Sequence, residues 1–541
     1  MKKSKFYSLF ALVILSVTLG ACTDDFKELN TDPANATLTS TESEFVLFAK
    51  SALYGPHYMR FEGNDDGRGP FQLGHSLFPD VYANYFATTQ PVFGSDQYEL
   101  VGRWLNGAWT YIYEENLRNV VFAEQIARTN ELAIEEAMMK VWRVYAFHRV
   151  TDLWGPVPYS EVLTSENALP YDSQESIYRD FFTSLDEAVS VLKANAGTVA
   201  PAWNGADEIL HGGSVDLWLK TANTLRLRLA MRVRYVDAGL AQTEAEKAVA
   251  DGVILLNEEN AILETTDRFR NHYTTITQWG EFRMSADVES ILKGYQDPRM
   301  ATYFAEAATP DPTDDPTGVT FNFEGMRNGQ EATTKTGTDF NSTSSNMATE
   351  YTTANTAGPA WVVLRAAEAF FLRAEGALLG WNMGGTSQDL YEQGIAASHV
   401  EQGYDGNDLS GNDYVTSTNV PAALDASNPA VSTIPVAFES GASLERQLEQ
   451  IITQKWIAIW PDSEEAYAER RRTGYPTLYN RLNSINPNIA VDEIPRRMPY
   501  VAIEQSTNQE AVNTAIGLLN SESSAANGDQ GNTKLWWDKK N

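Results

Sequence analysis

Apolar residues at helical spacing recur along this chain in adjacent pairs of runs, and that pattern restricts the fold more than any other feature. From Asp172 to Leu192, Ile177, Phe181, Leu185, Ala188 and Leu192 share one stripe, behind Asp172 and Glu175 at capping-box spacing. From Ser443 to Trp460, Leu444, Leu448, Ile451, Ile452, Trp456 and Ile459 do the same. Each stripe needs a partner helix to cover it. Further runs predict helices over Glu44–Leu53, Asp80–Phe86, Val101–Ile126, Leu132–Val150, Ser214–Val236, Trp361–Leu379, Thr386–Val400 and Glu464–Arg472. The expected fold is all-α dominated: tetratricopeptide-like helix pairs stacked into a superhelical scaffold, although no strict period of repeat length is present. Tyr391, Gly394, Ile395, Ala396 and Ala397 look like one such helix, with small residues admitting a close neighbour.

Between the helical blocks lie polar stretches rich in Gly, Thr, Asn, Asp and Pro: Glu264–Ser285, Thr309–Pro359 and Gln402–Ala442. Loops this long inside a compact chain are usually functional or disordered. The expectation is a rigid helical side and an irregular, loop-built lobe over about residues 250–360 and 400–442, within one body running from 44 to 541.

The first residues read as an address. Lys2, Lys3 and Lys5 precede an uncharged run from Phe6 to Ala21, too short at about 1.5 Å per residue to cross a hydrocarbon core of about 30 Å. The run ends Leu19, Gly20, Ala21, Cys22, which resembles a bacterial lipobox. Residues 1–21 are then the signal peptide, Cys22 the lipidated mature N-terminus, and 22–43, with Asn30, Asp32, Pro33 and Asn35, a tether. The next residues, Thr23, Asp24 and Asp25, resemble the acidic signal that sends some lipoproteins to the outer face of the outer membrane. Cys22 is the sole thiol of the chain, which excludes an internal disulfide framework and a Cys-ligated zinc site.

Catalytic signatures are missing. The six histidines, His57, His75, His148, His211, His272 and His399, are scattered, and no H-E-x-x-H occurs. No G-x-S-x-G elbow or phosphate-binding glycine loop is present. The 72 acidic against 41 basic side chains disfavour nucleic acid, which needs a concentrated basic face. The same abundance of acids leaves a surface glycoside hydrolase formally open, since two carboxylates at the right separation suffice. Asp311, Asp314 and Asp315 offer oxygen ligands for calcium, but EF-hand spacing is absent and a solvated acidic loop is the simpler reading, so no cofactor is expected. Arg226, Arg228, Arg232 and Arg234, and likewise Arg470–Arg472, are expected to pair with neighbouring acids.

Several segments carry a family resemblance. Gln454–Trp460 reads Gln-Lys-Trp-Ile-Ala-Ile-Trp, and Glu465–Pro476 reads Glu-Ala-Tyr-Ala-Glu-Arg-Arg-Arg-Thr-Gly-Tyr-Pro. Both closely resemble the SusD/RagB family of nutrient-binding outer-membrane lipoproteins. Thr151–Glu161, the tripeptide Asp297, Pro298, Arg299, the helix Leu364–Ala377 and the closing Arg496–Glu504 resemble further family segments. The resemblance implies helix pairs on one side, a ligand site on the irregular side, and a role as lid on a SusC-like TonB-dependent transporter. It implies capture of an oligosaccharide, or alternatively a peptide, without catalysis.

Glycans are held by sugar faces laid on aromatic rings, with amide, carboxylate and guanidinium groups bonding the hydroxyls. Two loop segments fit. His272–Arg283 carries Tyr273, Trp279, Phe282 and Arg283; Asp80–Gln97 carries Tyr82, Asn84, Tyr85, Gln90 and Phe93. Trp203 with Asn204, and Arg327 with Asn328, are weaker candidates. Trp104, Trp109, Trp142, Trp218, Trp456 and Trp460 lie in helical runs and are expected to pack.

Overall fold

A computed structural model describes residues 42–59, 68–162, 169–311, 321–354, 356–405, 408–409 and 412–540. The signal peptide, Cys22 and most of the tether lie outside them, as do Asp314 and Asp315. Among the described residues no helix is long and apolar enough to cross a membrane.

The periodic runs become helices that stack in sequence. They are α1 (Glu42–Tyr54), α2 (Arg118–Thr129), α3 (Ala133–Trp154), α4 (Gln174–Ala194), α5 (Val215–Val233) and α6 (Ala238–Asp251), each packed on the next. After α7 (Ala286–Tyr295) come α8 (Ala366–Leu378), α9 (Ser387–Glu401), α10 (Leu444–Ala458), α11 (Ser463–Thr473) and α12 (Gln509–Glu522). α8 packs on α5, α9 and α10, so the second group of helices docks against the end of the first. One continuous hydrophobic cluster runs from Phe45 to Trp537. Gly394 sits where α9 meets α8; a Cβ there would lie 2.8 Å from the ring of Phe371. The six tryptophans expected to pack are all buried.

Local chemistry moved several boundaries. The cap of α4 is Ser173, whose Oγ accepts from Ser176 N at 3.1 Å, rather than Asp172. The Asp172 carboxylate turns back to accept from Ser160 N at 2.8 Å. The run from Val101 is broken by a wider turn over Tyr111–Leu117. The run from Trp361 opens as a strand, because Trp361, Val362 and Leu364 pair with Leu263, Ile262 and Ala261 before α8 begins. Likewise, the helix expected over Asp80–Phe86 stops at Tyr82 and becomes a strand at Phe86. The helices α6, α7 and α12 had no predicted counterpart.

Charged residues form much of the interior. Arg228 and Arg232 on α5 are essentially unexposed. Arg228 meets Glu368 at 2.6 Å, while Arg232 contacts Asp152 at 3.1 Å, Glu465 at 2.5 Å and Glu469 at 2.8 Å. Lys455 lies 3.1 Å from Glu465 and 3.4 Å from both Glu368 and Glu469. Arg472 and Arg234 share Glu375, and Arg226 pairs with Asp186. The expected pairing holds for these arginines. It fails for Arg470 and Arg471, which donate to Asn84 Oδ1 at 2.9 Å and to the Arg496 carbonyl at 2.9 Å. Burial pushes the Glu465 carboxyl up, but Arg232, Arg228 and Lys455 more than reverse this, to about 2.

One buried acid behaves oppositely. Burial pushes the Glu289 carboxyl on α7 up to about 8, against the pull of Gly325 N–H at 2.6 Å and Lys293 at 3.2 Å. A folded-state value above the unfolded one, about 4.3, means folding takes up a proton between those limits. This group's contribution to stability therefore falls as pH rises from about 4.3 to 8. In thermal unfolding scans across that window, Glu289→Gln is expected to flatten the decline by on the order of 1–4 kcal/mol. Parallel curves for wild type and variant would contradict the assignment.

Candidate functional site

The two loop segments singled out from sequence meet in space. β1 (Phe86–Thr88) pairs antiparallel with β2 (Phe282–Met284), with Phe86 opposite Met284, Ala87 opposite Arg283 and Thr88 opposite Phe282. The pairing continues past the strand, since Thr89 N donates to Glu281 O at 2.9 Å and Thr89 Oγ1 to Gly280 O at 2.6 Å. The ribbon brings the Gln90–Phe93 turn beside the Trp279–Glu281 turn. Asn328 braces it by donating to Phe86 O and to Asp96 Oδ1, each at 2.8 Å.

Trp279 ends a tight turn and is 40 % exposed, the one aromatic among the exposed large hydrophobic side chains of the described residues. Gly280 makes this possible with φ +64°, a left-handed conformation that lets the chain reverse directly after the indole. A Cβ at Gly280 would meet the Asn341 amide at 3.0 Å, so that amide stands over the same turn. Gln72 donates to the Glu281 carboxylate, which burial pushes up and the Gln72 bond pulls down. Gln278 is exposed and donates to the Thr352 carbonyl.

Arg283 lies just beneath. Burial lowers its guanidinium to about 10, opposed by the exposed Asp339, and it donates to Phe282 O at 2.7 Å. Its Nε is buried without a hydrogen bond, and no ion pair with a carboxylate joins it among the described residues. The patch thus combines an open indole, several amides, a half-buried carboxyl and an incompletely satisfied guanidinium. These groups suit a neutral ligand with many hydroxyls, which both donate and accept.

The remaining predicted residues divide by burial. Gln90 and Phe93 are half-buried at the edge, and Phe93 rests on Phe282 and Trp104. Tyr273 is core: its ring stacks on Trp361 and its hydroxyl donates to Asp80 at 2.8 Å. Tyr82 packs against Tyr98 and Tyr467; Tyr85 lies on Trp456 and donates to its carbonyl at 2.5 Å. Asn84 is buried, donating to Asp287 at 2.6 Å. Phe282 is likewise buried under Phe93. These five hold the ribbon in place from below and present no open face.

Trp203 is a correction: it is fully buried between Phe45 and Trp218, and Asn204 bonds the Ala200 carbonyl. Arg327 lies over the Tyr479 ring at 4.5 Å. Asp311 donates its backbone N–H to Glu324, and among the described residues no cluster of three or more His, Cys, Asp or Glu could hold a metal ion. Sequence reasoning missed Gln72, Gln278, Glu281 and Asn341. Gln72 and Asn341 reach the patch from distant segments with no motif, and only the neighbourhood of Trp279 pointed to the other two.

Comparison with known proteins places this geometry in context. Among curated proteins none matches the chain. The chitin-binding SusD homologue from Flavobacterium johnsoniae is 33% identical, with 92% of this chain and 98% of that one covered at a TM-score of 0.79. SusD homologues from Bacteroides vulgatus and Bacteroides thetaiotaomicron are each 30% identical, with TM-scores of 0.80 and 0.78. They too cover 92% of this chain, and 98% and 99% of their own. The family model described as SusD-like, SusD and RagB outer membrane lipoprotein, matches residues 28–538. A match over nearly the whole length, carried by the stacked helices as well as the terminal motifs, means that this chain belongs to the SusD-like family of outer-membrane lipoproteins.

Proposed function

We propose that this lipoprotein, anchored through Cys22 and facing the cell exterior, captures an uncharged oligosaccharide and delivers it to a SusC-like TonB-dependent transporter, for which it acts as the lid. The observation that carries the reading is Trp279, held open on a ribbon-braced turn among Gln72, Glu281 and Asn341. An exposed indole ringed by amides offers stacking and hydroxyl bonding together. Arg283 is buried beneath the patch rather than open to a peptide carboxylate, which favours glycan over peptide. Similarity to a chitin-binding homologue makes N-acetylglucosamine oligomers the first ligand class to test. No catalytic step is assigned to the patch.

The test is calorimetric titration of residues 23–541 with neutral oligosaccharides, chitobiose among them, beside neutral peptides. Binding of an oligosaccharide without its cleavage is expected. Binding of peptides alone, or turnover of any glycan, would overturn the reading. Purification of the full lipidated chain from membranes is expected to bring down a large barrel protein.

A further inference from the structure

A second concave surface lies away from the Trp279 patch. It is a groove of about 640 Å³ between α12, the Ile485–Asn488 turn, Glu99–Leu100 and Asp529–Gly531. That volume is ample for a small ligand. Its floor is apolar: Val512 is buried, and Leu100 and Pro499 are half-buried. Gly531 keeps the floor open for Leu100, since a Cβ there would fall 2.4 Å from its Cδ1.

The walls are unusually rich in primary amides. Gln509 and Asn513, spaced i,i+4 on α12, point along the same side of the helix, and both are exposed. Neither side chain has a hydrogen-bond partner among the described residues. Across the groove Asn488 donates to Gln530 at 3.0 Å, which pre-orders that amide pair. Gln505 is held by the Tyr500 carbonyl at 3.0 Å. No lysine or arginine lines the groove, and the Asp529 carboxylate is engaged by buried Arg497 at 2.5 Å.

This composition selects a ligand class. An anion finds no cation here. A peptide carboxyl terminus finds none either. Amides, each with donors and an acceptor, match hydroxyls that do both, above a floor that tolerates the apolar face of a sugar ring. Absence of an aromatic ring among the lining residues makes the groove weak alone. It becomes effective when a ligand is already held nearby. The segment Gln90–Leu100 joins the Trp279 patch to the groove, and its length caps the separation at about 35 Å even if fully extended. The turn over Gly94–Gln97 shortens it further.

We propose that the groove is a second binding site for an uncharged polyhydroxyl chain, engaging a distal part of a polymer whose other part rests on Trp279. The inference rests on the oligosaccharide reading above. Its signature is dependence on chain length: a polymer spans both sites and gains effective concentration, whereas a disaccharide fills one.

The experiment compares glycol chitin, as polymer, with chitobiose, using residues 23–541. Variants are Gln509→Ala combined with Asn513→Ala, and Asn513→Met, which fills more of the groove without an amide or a ring face. All change exposed positions, and unaltered unfolding curves check the fold. Expected is a loss of affinity for glycol chitin of about tenfold or more, with chitobiose within about twofold of wild type. Unchanged polymer affinity in both variants would overturn the second site while leaving the Trp279 reading intact. Equal losses for both probes would also overturn it. Failure of wild type to bind either glycan would sink the reading itself, and the inference with it.

Discussion

Replacing Arg232 with methionine is expected to lower the free energy of unfolding by about 3–5 kcal/mol, read from denaturant curves at neutral pH. The arginine is fully buried and its three nitrogens face three different carboxylates, on α3 and α11. Methionine fills comparable space but leaves Asp152, Glu465 and Glu469 short of one positive charge where water cannot reach them. Lysine is not expected to rescue, because one ammonium cannot reproduce a planar fork aimed at several acceptors. The deficit also has a pH signature. With Arg232 present, Glu465 stays ionised to about pH 2. Its contribution is complete above the unfolded value of about 4.3 and is lost as pH falls through 2. The gap between wild type and variant is therefore expected to narrow below about pH 4. A loss under 1 kcal/mol at neutral pH would show that Arg228, Lys455 and Arg472 compensate without it.

The second large effect concerns recognition. Trp279→Ala is expected to weaken oligosaccharide binding by roughly 30-fold or more, the loss typical when a central aromatic anchor is truncated. Stability should change by less than about 0.5 kcal/mol, because the indole is substantially exposed and no core residue depends on it. Trp279→Phe should retain part of the affinity by keeping a stacking face. Calorimetry with chitobiose, alongside thermal unfolding, separates the two quantities. Undiminished affinity in the alanine variant would remove Trp279 from the ligand surface and shift attention to Gln90 and Phe93.

The scaffold was largely legible because burial imprints itself at helical period: the stripes of α4 and α10 announce which face needs a partner. What that period cannot convey is the direction a chain takes after a turn. Val362 and Val363 sit in a helical-looking run but become a strand because Ala261–Leu263 lies alongside. Trp203 reads as a loop aromatic until Phe45 and Trp218 close over it. The site was legible only as neighbourhoods. The two segments do meet in space, yet Tyr82, Tyr85 and Tyr273 face inward, because a loop's aromatics supply its own small core as well as its surface. Arg470 and Arg471 show the same limit, since adjacent cations on one helix gave no hint that only Arg472 meets carboxylates.

The segments by which the family was recognised have a physical identity. Lys455, Glu465, Glu469 and Arg472 from the C-terminal stretch, with Glu368 and Glu375 from the α8 helix, are the buried charges that lock α5, α8, α10 and α11 together. Their pattern reports how the body is held, and it is silent on cargo.

The short ribbon that joins residues 86–88 to 282–284 has an evolutionary corollary. On the proposed reading, two turns remote in the gene share one recognition face, so neither can drift toward a new nutrient alone without mismatching its neighbour. Changes in diet should therefore be written as paired substitutions in both turns, and a successful transplant of specificity between relatives would need to carry the two together.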